Sequence, residues 1–218
     1  MYFPRSLVQY QEPTDNIKLH AFEDASIHGV CAAVYAEVIQ ASGVTQGLIT
    51  AKSCLAEKYL KIPRLELVSG HMAVNLSTNV GAALEGFNMT ENIQCWLGST
   101  VPLQWLNDDG EYRQLVANRV KKIQSHPDTQ WRHVPTSGNP VDLGSRCGNV
   151  NAELWWNGPP WLFDPSQWLA NIVTMATDDS DARRKVQRQL FALGVETNHD
   201  FDTVLKKFGL HKAMRICA

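Results

Sequence analysis

The chain has 218 residues, of which 44% are hydrophobic and 19% charged; this is ordinary globular usage and excludes wholesale disorder, collagen and coiled coil. At roughly 100–200 residues per domain, the length fits one full domain plus something smaller, or two small ones. The 20 Lys and Arg against 22 Asp and Glu leave a net charge of −2, so a uniformly basic nucleic-acid binder is excluded and any grip on phosphate rests on local basic patches. No run of about 18 apolar residues occurs, so no membrane span is expected, and MYFPRSLVQYQEP lacks the apolar centre of a signal peptide. The five cysteines, Cys31, Cys54, Cys95, Cys147 and Cys217, are odd in number, far apart and form no C-x-x-C pair. That argues against a zinc site and a disulfide framework and points to a reducing, intracellular compartment.

Residues 1–16 are polar with two prolines and read as a connection. Residues 17–24 (IKLHAFED) form a short run ending in acids, and 28–39 (HGVCAAVYAEVI) are small and apolar enough for a buried strand. ASGVTQG reads as a hairpin turn and 47–53 (GLITAKS) as a third strand, which gives an antiparallel meander. Residues 63–84 are expected to be helical: Pro63 suits a first turn, and Leu65, Val68, Met72 and Leu76 recur at helical spacing. Glu66 is placed in the first turn, with Gly70 and Ala73 at i+4 and i+7 making that side small enough to lie close to a sheet.

Residues 92–97 (NIQCWL) read as a strand ended by Gly98. Residues 100–106 and 111–125 read as helices, 129–134 (TQWRHV) as a fifth strand, and VDLGSR as a short helical turn after the loop PTSGNP. The order βββ–α–β–α–α–β–α describes an α/β layer with a mixed five-stranded sheet flanked by helices. Residues 151–168 hold four of the seven tryptophans; they read as an aromatic segment packed back on the domain, with a base-stacking platform as the competing reading. Residues 170–182 read as a linker, Asp181 to Leu193 as an amphipathic helix stopped by Gly194, and the stretch from Asp202 as a last helical segment without a cap.

Three acids stand out: Asp24 at the end of the first strand, Glu66 in the long helix and Asp142 at the start of the last helix. Each has a plain structural explanation, as a turn residue, a helix-terminus charge and a helix flank respectively. Together they say more. With the first and fourth strands side by side and parallel, their carboxyl ends open onto a topological switch point. Clustered carboxylates there suit Mg²⁺, which favours oxygen ligands. A pair of such ions about 3.5–4 Å apart activates water and stabilises the leaving oxygen in phosphodiester cleavage.

The strings LHAFEDAS, GVCAAVYAEV, ITAKS, IPRLEL, WLGSTVPLQWL, VANRVKKIQ, QWRHVP, NPVDLGSR and LWWNGPPWL, in this order over about residues 17–163, resemble the ribonuclease H-like region of the pol polyprotein of Bel/Pao-type LTR retrotransposons. The tail around VLKKFGLHKAMRICA resembles the segment that precedes integrase there. The resemblance implies a ribonuclease H-like fold with a C-terminal helical extension, in a fragment of pol formerly linked to reverse transcriptase and integrase. It implies a metal-dependent endonuclease that cuts RNA in RNA–DNA hybrids with Mg²⁺ or Mn²⁺, and a setting in cytoplasmic particles. It divides the chain into a connection (1–16), the ribonuclease H-like domain (17–150), a Trp-rich wrap (151–169) and a linker with a truncated helical segment (170–218).

Residue by residue, the family's strand-end acid matches Asp24, its helix glutamate Glu66 and its last acid Asp142; these are the implied catalytic metal ligands. The remaining acid, which closes the fourth strand in a W-T-D-S-T motif, is replaced: the chain reads Trp96-Leu97-Gly98-Ser99-Thr100. Gly98 has no ligand atom, so the two-ion site is expected to be incomplete and cleavage impaired. Ser99 is too short and neutral to substitute, Glu23 is expected on the opposite face of its strand from Asp24, and Asp108 and Asp109 lie at the far end of the next helix. Without the resemblance, Gly98 is only a turn glycine.

For hybrid binding the resemblance directs attention to Lys52, Lys58, Lys61 and Arg64 around the start of the long helix. It also points to Arg119 and Lys122, which share a face of the later helix, and to Arg146 near the last motif. Most of these cations also read as solvated surface. Two functions are therefore weighed: a metal-dependent hybrid nuclease, and a non-catalytic nucleic-acid-binding or protein-interaction module that keeps the fold.

Overall fold

A computed structural model describes residues 10–108, 110–149 and 151–168, all within the first of the chain's two units, residues 1–184. The expected linker and helices of 170–218, with Cys217, lie outside the described residues, as does Asp109. The strands are β1 (Asn16–Ala25), β2 (Gly29–Gln40), β3 (Gly43–Leu55), β4 (Ile93–Leu97) and β5 (Thr129–His133). They form one mixed sheet in the order β3-β2-β1-β4-β5. β1, β2 and β3 pair antiparallel, and β4 is parallel to both β1 and β5. The helices are α1 (Ile62–Ala83), α2 (Thr100–Asn107), α3 (Gln114–Gln124), α4 (Asp142–Ser145) and α5 (Glu153–Asn157). This is the expected ribonuclease H-like α/β arrangement, with β1 and β4 adjacent and parallel.

β2 is buried almost throughout because both its faces are covered. Leu19, Ala21, Ala32, Val34 and Ala36 face the α1 side, while Phe22, Cys31, Ala33 and Tyr35 face the tryptophan side. This even and odd split follows the pleat. β3 is the edge strand and largely exposed. It begins at Gly43, four residues earlier than expected. Val44 and Thr45 pair with Ile39 and Val38, so the hairpin loop is only Ala41–Ser42 and the glycine-containing run is strand. Composition alone made that run look like a turn, whereas pairing to an apolar neighbour decides it.

One expectation for α1 is corrected: Glu66 is not in the first turn, because the helix starts at Ile62, which puts Glu66 in the second turn. The side of Gly70 and Ala73 lies close to the sheet, as expected, together with Leu67, Ser69, Val74 and Ser77, while Val68, Met72 and Leu76 of the apolar stripe are half-buried. Small side chains win that face because they let the helix axis approach: a Cβ on Gly70 would already lie 3.5 Å from the Trp131 ring. The larger residues fill the rim, where Met72 and Leu76 pack against the core edge.

The tryptophan segment packs back as expected. Trp155, Trp161, Trp168 and the fully buried Leu162 join Phe22, Tyr35 and Trp96 in the second core. Trp96 stacks on Phe22 at a centroid distance of 5.7 Å and meets Trp161 and Trp168 edge-on at 5.0 and 5.2 Å. The Tyr35 hydroxyl donates to the Trp155 carbonyl at 2.7 Å. Apolar rings engaged in this way are held by burial and ring packing rather than presented to a ligand.

Candidate functional site

Glu23 and Asp24 lie near the end of β1, where the parallel neighbour runs out: Glu23 pairs with Leu97, one residue before Gly98. Alternation sends the two acids to opposite faces of the sheet. Asp24 turns toward α4 and is only 5% exposed. Its Oδ2 accepts from the Ser145 hydroxyl. Burial raises its pKa and the Ser145 bond opposes the rise; Asp142 raises it further, and Arg146 lowers it. Glu23, fully buried, turns toward α1, and its Oε1 accepts from the Gly98 N–H at 3.1 Å.

Glu66, 7% exposed, comes from α1. Burial pushes its carboxyl up to about 7, against a lowering hydrogen bond from Ser99, with the nearby Asp24 charge adding to the rise. Glu23 is held well above the ordinary glutamate range by burial first and then by the Glu66 and Asp24 charges. One oxygen of each glutamate, Oε2, is buried without a hydrogen-bond partner. Asp142 begins α4 and is half-buried. Its Oδ1 takes the Arg146 Nε at 2.6 Å.

The structure therefore brings Asp24 into electrostatic contact with both Glu66 and Asp142, one approached from the α1 side and the other from the α4 side. Among the described residues, no group of three or more His, Cys, Asp or Glu side chains stands ready to hold a metal ion. Gly98 occupies the gap. A Cβ built on it would lie 3.0 Å from Asp24 Oδ1 and 3.4 Å from Asn139 Nδ2. A side chain at this position would thus point straight at Asp24. As donors, the residues present do not fit a two-ion set: position 98 supplies no oxygen, Asp24 Oδ2 is taken by Ser145, and Asp142 Oδ1 by Arg146.

Three residues hold supporting roles that the sequence does not announce. Asn139, 1% exposed, donates to the Glu23 carbonyl at 2.8 Å and accepts from Val141 N–H at 3.1 Å, so it ties the α4 loop to the end of β1. Ser145 holds Asp24, and its carbonyl accepts from the Ser26 hydroxyl at 2.7 Å. Ser99 caps α2 while bonding Glu66. An Asn before Pro, and a Ser after a strand, are signals for local turns and caps, but neither names its distant partner.

The expected hybrid-binding cations lie on several elements. Arg119 and Lys122 line a shallow depression of about 690 Å³ on α3, where Arg119 also contacts His71 Nδ1 at 2.8 Å. Lys52 is exposed on edge strand β3, and Arg64 sits in the first turn of α1. Arg146 is exposed, with its Nε on Asp142 Oδ1 at 2.6 Å.

Residues 1–99 match the family model described as the Pao retrotransposon-like RNaseH-like domain. The match covers 99 of the chain's 218 residues, a little under half. The matched stretch takes in β1 to β4 and includes Asp24, Glu66 and Gly98; Asp142 lies beyond it. No curated protein matches the sequence. Among solved structures, the chain is similar to RNase H1 from the halophilic archaeon Halobacterium salinarum at 14% identity, over 55% of this chain and 87% of that one, with a TM-score of 0.38. It is also similar to the N-terminal RNase H domain of a Mycobacterium tuberculosis protein solved as a fusion with maltose binding protein (12%, 57% and 85%, TM-score 0.37). A third is LC11-RNase H1 in complex with an RNA/DNA hybrid (11%, 56% and 88%, TM-score 0.36). No helix among the described residues is long and apolar enough to cross a membrane.

Proposed function

We propose that this domain binds RNA–DNA hybrids and descends from a metal-dependent endonuclease, with cleavage impaired because Gly98 stands where a carboxylate is needed. One observation carries the reading: position 98 aims at Asp24 Oδ1, with a Cβ-to-oxygen separation of 3.0 Å, and holds no ligand atom. Asp24, Glu66 and Asp142 are the proposed remnants of the ligand set, and Mg²⁺ or Mn²⁺ the ion they once held. A two-ion site needs its carboxylates to fix ion spacing and aim the water. With one donor missing and two others engaged by Ser145 and Arg146, no cleavage step is derived for the natural sequence.

The proposed domain unit runs from about residue 17 to 150 with the Trp-rich wrap as its outer layer, since Trp161 and Leu162 belong to its second core. That burial weakens the alternative in which the tryptophans serve as a protein-interaction face. The test is incubation of the purified chain with a labelled hybrid and Mg²⁺ or Mn²⁺, beside a Gly98→Asp variant. Negligible cleavage by the natural protein and a gain in the variant are expected. Robust cleavage by the natural protein would refute impairment, and absence of hybrid binding would refute the binding role.

A further inference from the structure

The two non-glycine residues with positive φ among the described ones border the elements that carry the candidate acids. Cys147 (φ 57°) follows α4, where a left-handed residue is the usual way to end a helix. Tyr59 (φ 71°) has no such role. It sits in the turn between β3 and α1, closed by the Leu60 N–H to Glu57 carbonyl bond at 3.4 Å, at a position where glycine is the unstrained choice. An aromatic residue with positive φ is a steric outlier, and strain of this kind collects at functional sites.

Burial does not compensate it. The turn is pinned on both sides, by the Ala56 N–H to His28 carbonyl bond at 3.1 Å and by Ala56 and Leu60 packing against Ala25, Val30 and Leu65. Tyr59 itself is 99% exposed. At the same end of the sheet, Leu55 and Ile27 are 91% and 74% exposed; Leu55 pairs with Gly29 at the end of β3, and Ile27 lies in the β1–β2 connection, three residues after Asp24. In the sequence flanking Tyr59, the stretch 52–64 carries four cations, Lys52, Lys58, Lys61 and Arg64, against one acid, Glu57, within a chain whose net charge is −2. An exposed aromatic on a pinned turn beside cations suits nucleic acid by ring packing on the strand's sugar plus phosphate attraction.

We infer that Tyr59 packs its ring against a nucleotide of the hybrid strand that passes Asp24 and Glu66, with Lys58 at the adjoining phosphate. This rests on the hybrid-binding reading above and assigns its contact residue. A protein partner for the same apolar end is the rival that the test excludes.

The full chain is titrated with a fluorescently labelled RNA–DNA hybrid in EDTA across a salt series. The variants are Tyr59→Phe, Tyr59→Ala, Tyr59→Gly and Lys58→Ala. Tyr59→Phe retains affinity. Tyr59→Ala and Tyr59→Gly lose roughly three- to tenfold, on the order of one aromatic contact, with an unchanged salt slope. Lys58→Ala lowers the slope of log K against log salt by about 1. Tyr59→Gly also melts at a higher temperature than the natural protein, because glycine takes this φ freely; loss of binding there is therefore not loss of fold. If the natural chain binds hybrid and the Tyr59→Ala and Tyr59→Gly variants bind as tightly, the Tyr59 contact is overturned while hybrid binding stands, and the ring is left to a protein partner. If the natural chain does not bind, the hybrid reading falls and this inference with it.

Discussion

Replacing Glu66 by Gln should abolish a large part of the pH dependence of folding. A glutamate in the unfolded chain titrates near 4.5, whereas burial chiefly, with Asp24 adding and Ser99 opposing, pushes folded Glu66 up to about 7. The folded state therefore holds this proton more tightly. Its contribution to stability is complete below pH 4.5 and is lost as the pH rises through about 7. At about 1.4 kcal/mol per pH unit, the displacement sets a ceiling of about 3 kcal/mol. Glutamine keeps the shape, needs no proton and still offers an oxygen to Ser99. In EDTA, urea unfolding should show Glu66→Gln about as stable as the natural protein near pH 4.5, and more stable by up to about 3 kcal/mol at about pH 8. Glu23 titrates in the same direction and leaves a residual slope in both proteins, so the measured quantity is the difference between them. A difference that stays constant across this range would refute the burial argument for Glu66.

Gly70→Ala should leave stability unchanged or raise it by up to about 1 kcal/mol, since its Cβ meets Trp131, Leu97 and Ile123 at 3.5 to 3.8 Å; Gly70→Leu should cost about 1–3 kcal/mol by overpacking, and equal urea midpoints for the two would contradict the close approach of α1. Leu162→Ala should cost about 2–5 kcal/mol, because Leu162 is fully buried in the second core; a loss below about 1 kcal/mol would show that residues 151–168 do not belong to the domain. Gly98→Asp should be less stable than the natural protein in EDTA by about 1–3 kcal/mol, with its new Cβ crowding Asp24 Oδ1 at 3.0 Å, and Mg²⁺ should raise its melting temperature more than that of the natural protein. Equal melting temperatures in EDTA would mean that Asp24 moves aside without cost.

What the residues disclosed about this site and what they hid follow from range. The strand-end FEDAS, the helix IPRLEL and the turn NPVDLGSR are local patterns, and each placed its acid on the correct element. The pleat also gave the correct faces for Glu23 and Asp24. The reach of a side chain across the fold was not legible. Asn139 bonds a carbonyl 116 residues earlier, and Ser145 bonds Asp24 across 121 residues; no spacing rule covers such pairs. On α1 the small residues were legible: helix-to-sheet distance decides which side faces the sheet, and Gly70 and Ala73, read in the sequence as the close side, permit that approach together with Ser77. The early start of β3 depended on its partner strand rather than on its own Gly and Gln content.

The charge balance at the end of β1 gives Gly98 its physical meaning. Buried carboxylates must be protonated, hydrogen-bonded or paired with a cation. On the α1 face, Glu23 and Glu66 are favoured in the neutral form by burial. On the α4 face, Asp24 takes the Ser145 hydroxyl and Asp142 takes Arg146. Each of the four acids thus has a protonation, hydrogen bond or ion pair within the chain. A fifth carboxylate, at position 98, would enter directly against Asp24 and beside the Asn139 amide. With Asp24 as its nearest neighbour, it would be favoured by a bound ion. The proposed loss of the metal and the presence of glycine then require each other: a chain that folds around this end without an ion gains by having no side chain there, and a chain with no side chain there has lost the donor that would fix the ion.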